Sequence, residues 1–251
     1  MRKKEIKDQI KKEGKQTKRS LRGFMKNGDQ EKLHKFRVGI KKLRAVATLV
    51  EQTTALNHVR NGLKPVKDTY QLCGKVRDSY LHVELAKTVS ADKDYLSSEK
   101  LVMKKGIKKL HKERPHHLKM LRRAQGGLLK RVKKVKNKNA SLFYDMELRS
   151  IGGCLSSSKS VDEMHDCRKR IKVLLYNLPL VKNTLFMPVN EDYLQLVQTA
   201  IGDWHDHVLA ANQFSALGDK SELLKQEVKK LTDKFYERAT IVAKALIEQP
   251  G

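Results

Sequence analysis

The sequence predicts an all-α protein built by tandem duplication of one helical lobe, and three observations carry that prediction. Apolar residues recur every three or four positions along most of the chain, the period of a helix face. Only 5 prolines and 14 glycines punctuate 251 residues, and no convincing strand pattern stands out. Two pairs of short motifs recur in the same order and at nearly equal spacing in the two halves.

The first helix, over 3–25, carries Lys4, Lys7, Lys11, Lys15, Lys18 and Arg22 at helical spacing and stops before the turn residues Asn27-Gly28-Asp29. A second, over 29–54, has an apolar stripe of Leu33, Phe36, Ile40, Leu43, Ala47 and Val50. Pro65 stands near the start of a third, over 63–90, with a break at Ala91-Asp92. The next, over 93–113, ends at Arg114-Pro115, and 116–137 continues as a strongly basic helix. Beyond it, 141–153 runs toward Ser156-Ser157-Ser158, and 160–178 toward the irregular stretch from Pro179 to Asn190, which holds Pro188. The last two, over 191–216 and 219–247, are separated by Gly218-Asp219. No break is long enough for a flexible linker, so 1–251 reads as one domain: a lobe over 1–115, a very basic connecting helix over 116–140 and a second lobe over 141–251.

Charge narrows the partner list. With 54 Lys and Arg against 28 Asp and Glu, the formal net charge is +26, and a compact chain carrying it repels itself. A polyanion is the natural partner, whether nucleic acid, a phosphate polymer or an anionic surface. The stretch Lys104–Lys138 alone holds 15 Lys and Arg against one acid, Glu113. Within it Lys105, Lys108 and Lys112 share a helix face, as do Lys119, Arg123, Lys130 and Lys134, while Leu110, Leu118, Leu121, Leu128 and Leu129 supply apolar contacts.

The repeated motifs place charge more specifically. His34-x-x-Arg37-x-x-Ile40-Lys41-x-Leu43 recurs as His165-x-x-Arg168-x-x-Ile171-Lys172-x-Leu174, and Gly74-x-x-Arg77-Asp78-x-x-Leu81 as Gly202-x-x-His205-Asp206-x-x-Leu209. At the helical turn, His34, Arg37, Lys41 and Arg44 fall in a sector of about 80° beside the apolar stripe. His165, Arg168 and Lys172 repeat it beside Met164, Cys167, Ile171 and Leu174, with Leu175 at the place of Arg44. A solvated amphipathic face accounts for one such stripe, but has no reason to repeat His, Arg and Lys in register. Arg77 and His205 point inward between apolar neighbours, and a buried guanidinium needs a carboxylate or an anionic ligand. Asp78 and Asp206 are the internal candidates, and an ion-pair clamp between helices stands beside ligand contact as a reading of these four residues. Gly74 and Gly202, costly in mid-helix, imply close helix approach.

Several function classes are disfavoured. There is no P-loop, G-x-G-x-x-G, H-E-x-x-H or G-x-S-x-G motif. His116-His117 and His205-x-His207 lack the carboxylates and the geometry of a metal site, so neither metal nor cofactor is expected. Aromatic residues make up 6% of the chain and no zinc-finger or RNP-like pattern occurs, which leaves little for base stacking. Cys73, Cys154 and Cys167 are odd in number and widely spaced, which argues against a disulfide framework or zinc site and suits a reducing cytosol. No signal peptide or membrane span is expected.

The residues His34-x-x-Arg37-x-x-x-Lys41-x-x-Arg44 and Gly74-x-x-Arg77-Asp78, with their counterparts at His165 and Gly202-Asp203-Trp204-His205-Asp206, resemble the CHAD domain, the conserved-histidine α-helical domain. The resemblance covers essentially the whole chain. It implies two pseudo-symmetric antiparallel helical bundles with a basic surface or channel between them. It further implies a non-enzymatic protein that binds inorganic polyphosphate, in the cytoplasm or at polyphosphate granules, often beside a polyphosphate- or triphosphate-processing enzyme. The contacts expected on that basis are His34, Arg37, Lys41, Arg44, Arg77, His165, Arg168 and Lys172, extended by Lys108, Lys112, Lys119 and Arg123, with Asp78 and Asp206 as structural ion-pair partners. RNA binding is the alternative, favoured by the basic field over Lys104–Lys138 alone.

Overall fold

The computed structural model describes residues 1–88, 93–157, 160–212 and 218–240. Among these it is helical nearly throughout, with an isolated antiparallel bridge between Val189 and Thr240. The chain divides into two compact units, Met1–Val135 and Lys136–Gly251.

In the first unit, α1 (Lys3–Asn27) ends where Gly28 turns left-handed (φ 72°) and donates its N–H to the Phe24 carbonyl at 2.7 Å. Asp29 caps α2 (Gln30–Thr53) by accepting from the Glu31 and Lys32 N–H groups. A 3-10 helix (Val59–Val66) leads into α3 (Lys67–Thr88), which pairs with α4 (Lys93–Lys112); α5 (Arg114–Arg131) packs on α1 and on the 3-10 helix. All six residues of the predicted apolar stripe on α2 are buried. Gly106 sits against the Val76 side chain, setting the register of α4 on α3. Gly62 lies against the backbone of Gly127 and Leu128, an approach that any Cβ would block.

The second unit comprises α6 (Asn137–Ser157), α7 (Val161–Val181), a short 3-10 turn (Lys182–Thr184), α8 (Glu191–Ala211), α9 (Gly218–Thr232) and α10 (Phe235–Ala239). Ser160 and Glu163 form a reciprocal capping box at the start of α7, and Asn190 caps α8 through the Tyr193 N–H. Tyr144, fully buried on α6, donates its hydroxyl to the Leu174 carbonyl of α7 at 2.7 Å. Met164, Cys167, Ile171 and Leu174 face this core as the repeat predicts.

Three expectations are corrected. The basic helix expected over 116–140 is two helices: α5 stops at Arg131, residues 132–136 are non-helical, and α6 begins at Asn137. Val132 and Val135 are both buried, and Val135 hydrogen-bonds with Met1, so core packing interrupts the helix without Pro or Gly. The start expected at 63 is preceded by the 3-10 segment from Val59. Finally, Cys154 on α6 and Cys167 on α7 form a disulfide, contrary to the expectation of none. Consecutive helices bring their Cα atoms to 6.4 Å across a sequence separation of 13, within the reach of a cystine. Cys73 remains a free, buried thiol, pushed up to about 12 by burial against the opposing pull of Arg37. The breaks expected at Ala91-Asp92 and Ser158, and the last helix beyond 240, lie outside the described residues. No described helix is long and apolar enough to cross a membrane.

Candidate functional site

In the first unit, α2 presents His34, Lys41 and Arg44 at the surface and Arg37 partly covered by α3. Gly74 explains how Arg37 gets there. A Cβ on Gly74 would collide with Nη1 of Arg37, so the glycine is the notch in which the guanidinium crosses α3. Residues one turn to either side hold it. The Arg37 Cζ lies 5.1 Å from the Tyr70 ring centroid, and Nη2 lies 3.8 Å from Asp78 Oδ1. Arg44 also sits over Tyr70, at 5.4 Å. Arg37, Tyr70, Lys75 and Lys109, together with the carboxylates Asp68 and Asp78, are among the residues that line an open cavity of ≈ 540 Å³.

The second unit uses the same device. A Cβ on Gly202 would lie 2.6 Å from Arg168 Cζ and 2.8 Å from its Nε, so α8 accepts the arginine of α7 at this glycine. Here the holding contact is a hydrogen bond from Arg168 Nε to the Gln198 carbonyl at 3.0 Å. Lys172 Nζ lies 5.9 Å from the Tyr176 ring. His165 and His205 stack across the two helices, with ring centroids 4.3 Å apart and planes 26° from parallel. Burial holds the His165 imidazole below its usual range. His205, Lys169 and Arg168 push the same way, and Asp166 opposes them.

The carboxylates differ from expectation. Asp78 meets Arg37, but its side chain is 57% exposed, so the pair is a surface contact rather than a buried clamp. Asp206, 72% exposed, stands 3.5 Å from the adjacent His205 and not against Arg168. Its place on the helix, one residue past the inward-facing His205, turns it to solvent. Arg77 does point inward: its Nε is closed to solvent with no hydrogen-bond partner, and its Cζ lies 5.1 Å from the Tyr80 ring. It does not line the Arg37 cavity.

Lys108 and Lys112 on α4 and Lys119 and Arg123 on α5 are exposed. Of the α4 cations it is Lys109, absent from the predicted set, that joins Arg37 at the cavity. Its position depends on the α3–α4 register, which nothing in the sequence announces. Tyr70 and Gln198 were legible in principle, since each stands four residues before its glycine and so shares its helix face. On α1, the Lys18 ammonium is held below the usual lysine range by the charges of Arg122 and Arg22, marking a second cluster of unneutralised cations. Among the described residues no group of three or more His, Cys, Asp or Glu is placed to hold a metal ion.

The sequence matches the CHAD domain over residues 9–142, more than half its length. The chain belongs to the CHAD domain family. The matched segment contains His34, Arg37, Lys41 and Arg44 with Gly74, Arg77 and Asp78, whereas the second set of motifs lies beyond it. The fold extends further. A crystal structure of the CHAD domain from the plant Ricinus communis superposes with a TM-score of 0.64 at 16% identity, covering 93% of this chain and 84% of that one. At that identity the likeness speaks for the CHAD fold alone. No curated protein matches the sequence.

Proposed function

We propose that this CHAD protein binds inorganic polyphosphate without hydrolysing it, through the basic faces organised around Arg37 and Arg168. The observation that carries the reading is the repeated arginine-on-glycine notch, which fixes one guanidinium per unit beside further cations in register. A phosphate polymer offers only charge and oxygen acceptors, which guanidinium forks and ammonium groups suit without an aromatic platform. His34, Lys41 and Arg44 continue the track on α2, and His165 and Lys172 on α7. Lys108, Lys112, Lys119 and Arg123 extend it in the first unit. Arg77, inward with its Nε closed to solvent, contributes field rather than a fork. The resemblance favours action at polyphosphate granules, beside a polyphosphate- or triphosphate-processing enzyme, whereas the Cys154–Cys167 cystine removes the ground on which the cysteines alone favoured a reducing cytosol.

Competition at physiological salt tests this, with labelled long-chain polyphosphate displaced by unlabelled polyphosphate, tRNA or duplex DNA. Selective displacement by polyphosphate, weakened in R37E/R168E and unaccompanied by orthophosphate release, is the expected result. The salt slope should be about 0.7 per neutralised phosphate if single-strand behaviour carries over. The cation-rich stretch Lys104–Lys138, with its one acid, favours RNA as a second reading. Equal or better displacement by tRNA would establish RNA as the ligand instead.

A further inference from the structure

The two units differ at one position that matters for charge. Where the first motif has Arg77, a cation at every accessible pH, the second has His205. That histidine does not stand alone. Its ring lies on His165 at 4.3 Å, and the two imidazoles are nearly parallel. His165 Nδ1 is closed to solvent and has no hydrogen-bond partner, so a proton placed there finds no acceptor inside the protein.

The groups around the pair say what would stabilise its charged form. From α7, Arg168 and Lys169 repel a charge on His165, and Asp166 attracts it but is itself engaged by Lys169. From α8, Asp206 reaches His205 at 3.5 Å and is largely in water, while His207 is turned to the Asp203 carbonyl. Several charged groups of the packed neighbours are engaged elsewhere, and Glu227, Lys229, Lys230 and Asp233, on and just after α9, are exposed. On α6, Glu147 pairs with Arg170, and Asp145 with Arg149 and Tyr236; on α9, Glu222 pairs with Lys225. Two stacked imidazolium rings beside Arg168 and Lys169 are therefore only partly neutralised, by Asp206, which is largely in water, and by Asp166, which Lys169 also engages. An anionic oxygen brought to Arg168 supplies the rest of the counter-charge.

We infer that anion binding by the second unit is proton-coupled through the stacked His165–His205 pair, whereas the first unit carries the permanent cation Arg77 at the position of His205. The inference rests on the polyphosphate reading and adds its regulation. The sign follows from linkage. A phosphate chain that stabilises the protonated pair raises its pKa, so binding takes up protons and affinity falls as pH rises through neutrality. The dependence is at most about tenfold per pH unit for each proton taken up. Deprotonation of terminal phosphates over the same range makes the ligand more anionic and acts in the opposite sense, so it cannot mimic the effect.

The test uses the full chain and long-chain polyphosphate at constant ionic strength. Affinity is measured from pH 5.5 to 8.5 for wild type, H205R, H205Q and H34Q. Titration calorimetry of wild type near pH 7, in two buffers of different ionisation heat, counts the protons taken up. Expected are net uptake in wild type, an affinity in H205R that holds up at pH 8, and weaker, flatter binding in H205Q. Binding with no proton uptake, or a pH dependence lost in H34Q but kept in H205R, would overturn the inference and leave the polyphosphate reading standing. The calorimetric count needs no variant to fold. Absence of binding at every pH would overturn both.

Discussion

Replacing each notch glycine by alanine should separate the two units by the way their arginines are held. In G202A the new Cβ collides with the Cζ and Nε atoms of Arg168, so the whole guanidinium must leave and its hydrogen bond to the Gln198 carbonyl is lost. A hydrogen bond from a charged donor contributes about 1.5–3 kcal/mol, and alanine returns about 1 kcal/mol of helix propensity. The balance is a loss of about 0.5–2 kcal/mol, or a melting-temperature drop of a few degrees at about 2–4 °C per kcal/mol. In G74A the collision is with Nη1, the tip of a flexible side chain. The contacts at stake are an exposed ion pair of about 0–1 kcal/mol and a cation–π contact of about 0.5–1 kcal/mol, which the propensity gain nearly offsets. Thermal melts followed by circular dichroism should therefore show G202A destabilised and G74A close to wild type, while both bind polyphosphate more weakly. A G202A protein as stable as wild type would refute the claim that Arg168 is anchored at this glycine.

Three other outcomes are expected. Thiol titration in denaturant should find one reactive cysteine, Cys73, before reduction and three after it, and C154S should lose up to about 3 kcal/mol, the chain-entropy value for a loop of about this size. Lowering the pH should destabilise the free protein. His117, buried with Nδ1 2.9 Å from Thr69 Oγ1, is held below the usual histidine range chiefly by burial, and His165 is depressed for the same first reason. The folded state then binds fewer protons than the unfolded one, so stability present above pH 6.5 is lost as pH falls through the folded values. A melting temperature that does not fall between pH 7.5 and 5.5 would contradict this. Y144F, which removes the buried bond to the Leu174 carbonyl, should cost about 1–3 kcal/mol by equilibrium urea unfolding.

Much of the fold was legible because its signals are local. The stripe from Leu33 to Val50 and the Asn27-Gly28-Asp29 turn are each readable within a few residues, and the structure buries the one and caps helices at the other. What escaped depends on neighbours remote in sequence. The 3-10 segment from Val59 exists because Gly62 meets the α5 backbone, and the break after Arg131 because Val132 and Val135 are drawn into the core. The cystine escaped for a related reason. Cys167 reads correctly as a core position, and only the juxtaposition of α6 and α7 reveals that Cys154 is within bonding reach. At the candidate site, the repeat marked Arg37 and Arg168 and both glycines, but not that each glycine exists for the arginine. Lys109 could not be found without the α3–α4 register.

The notches also bear on how such a protein can change over generations. Arg37 and Gly74, like Arg168 and Gly202, occupy one volume between them, so each pair behaves as a single heritable character. A side chain gained at the glycine displaces the arginine, and an arginine shortened to alanine leaves a groove that a larger residue can fill. Drift at either position alone is penalised, and escape requires a double step. Homologous units should accordingly keep both partners or exchange both, and one that has exchanged both has given up its fixed guanidinium while keeping the helical scaffold.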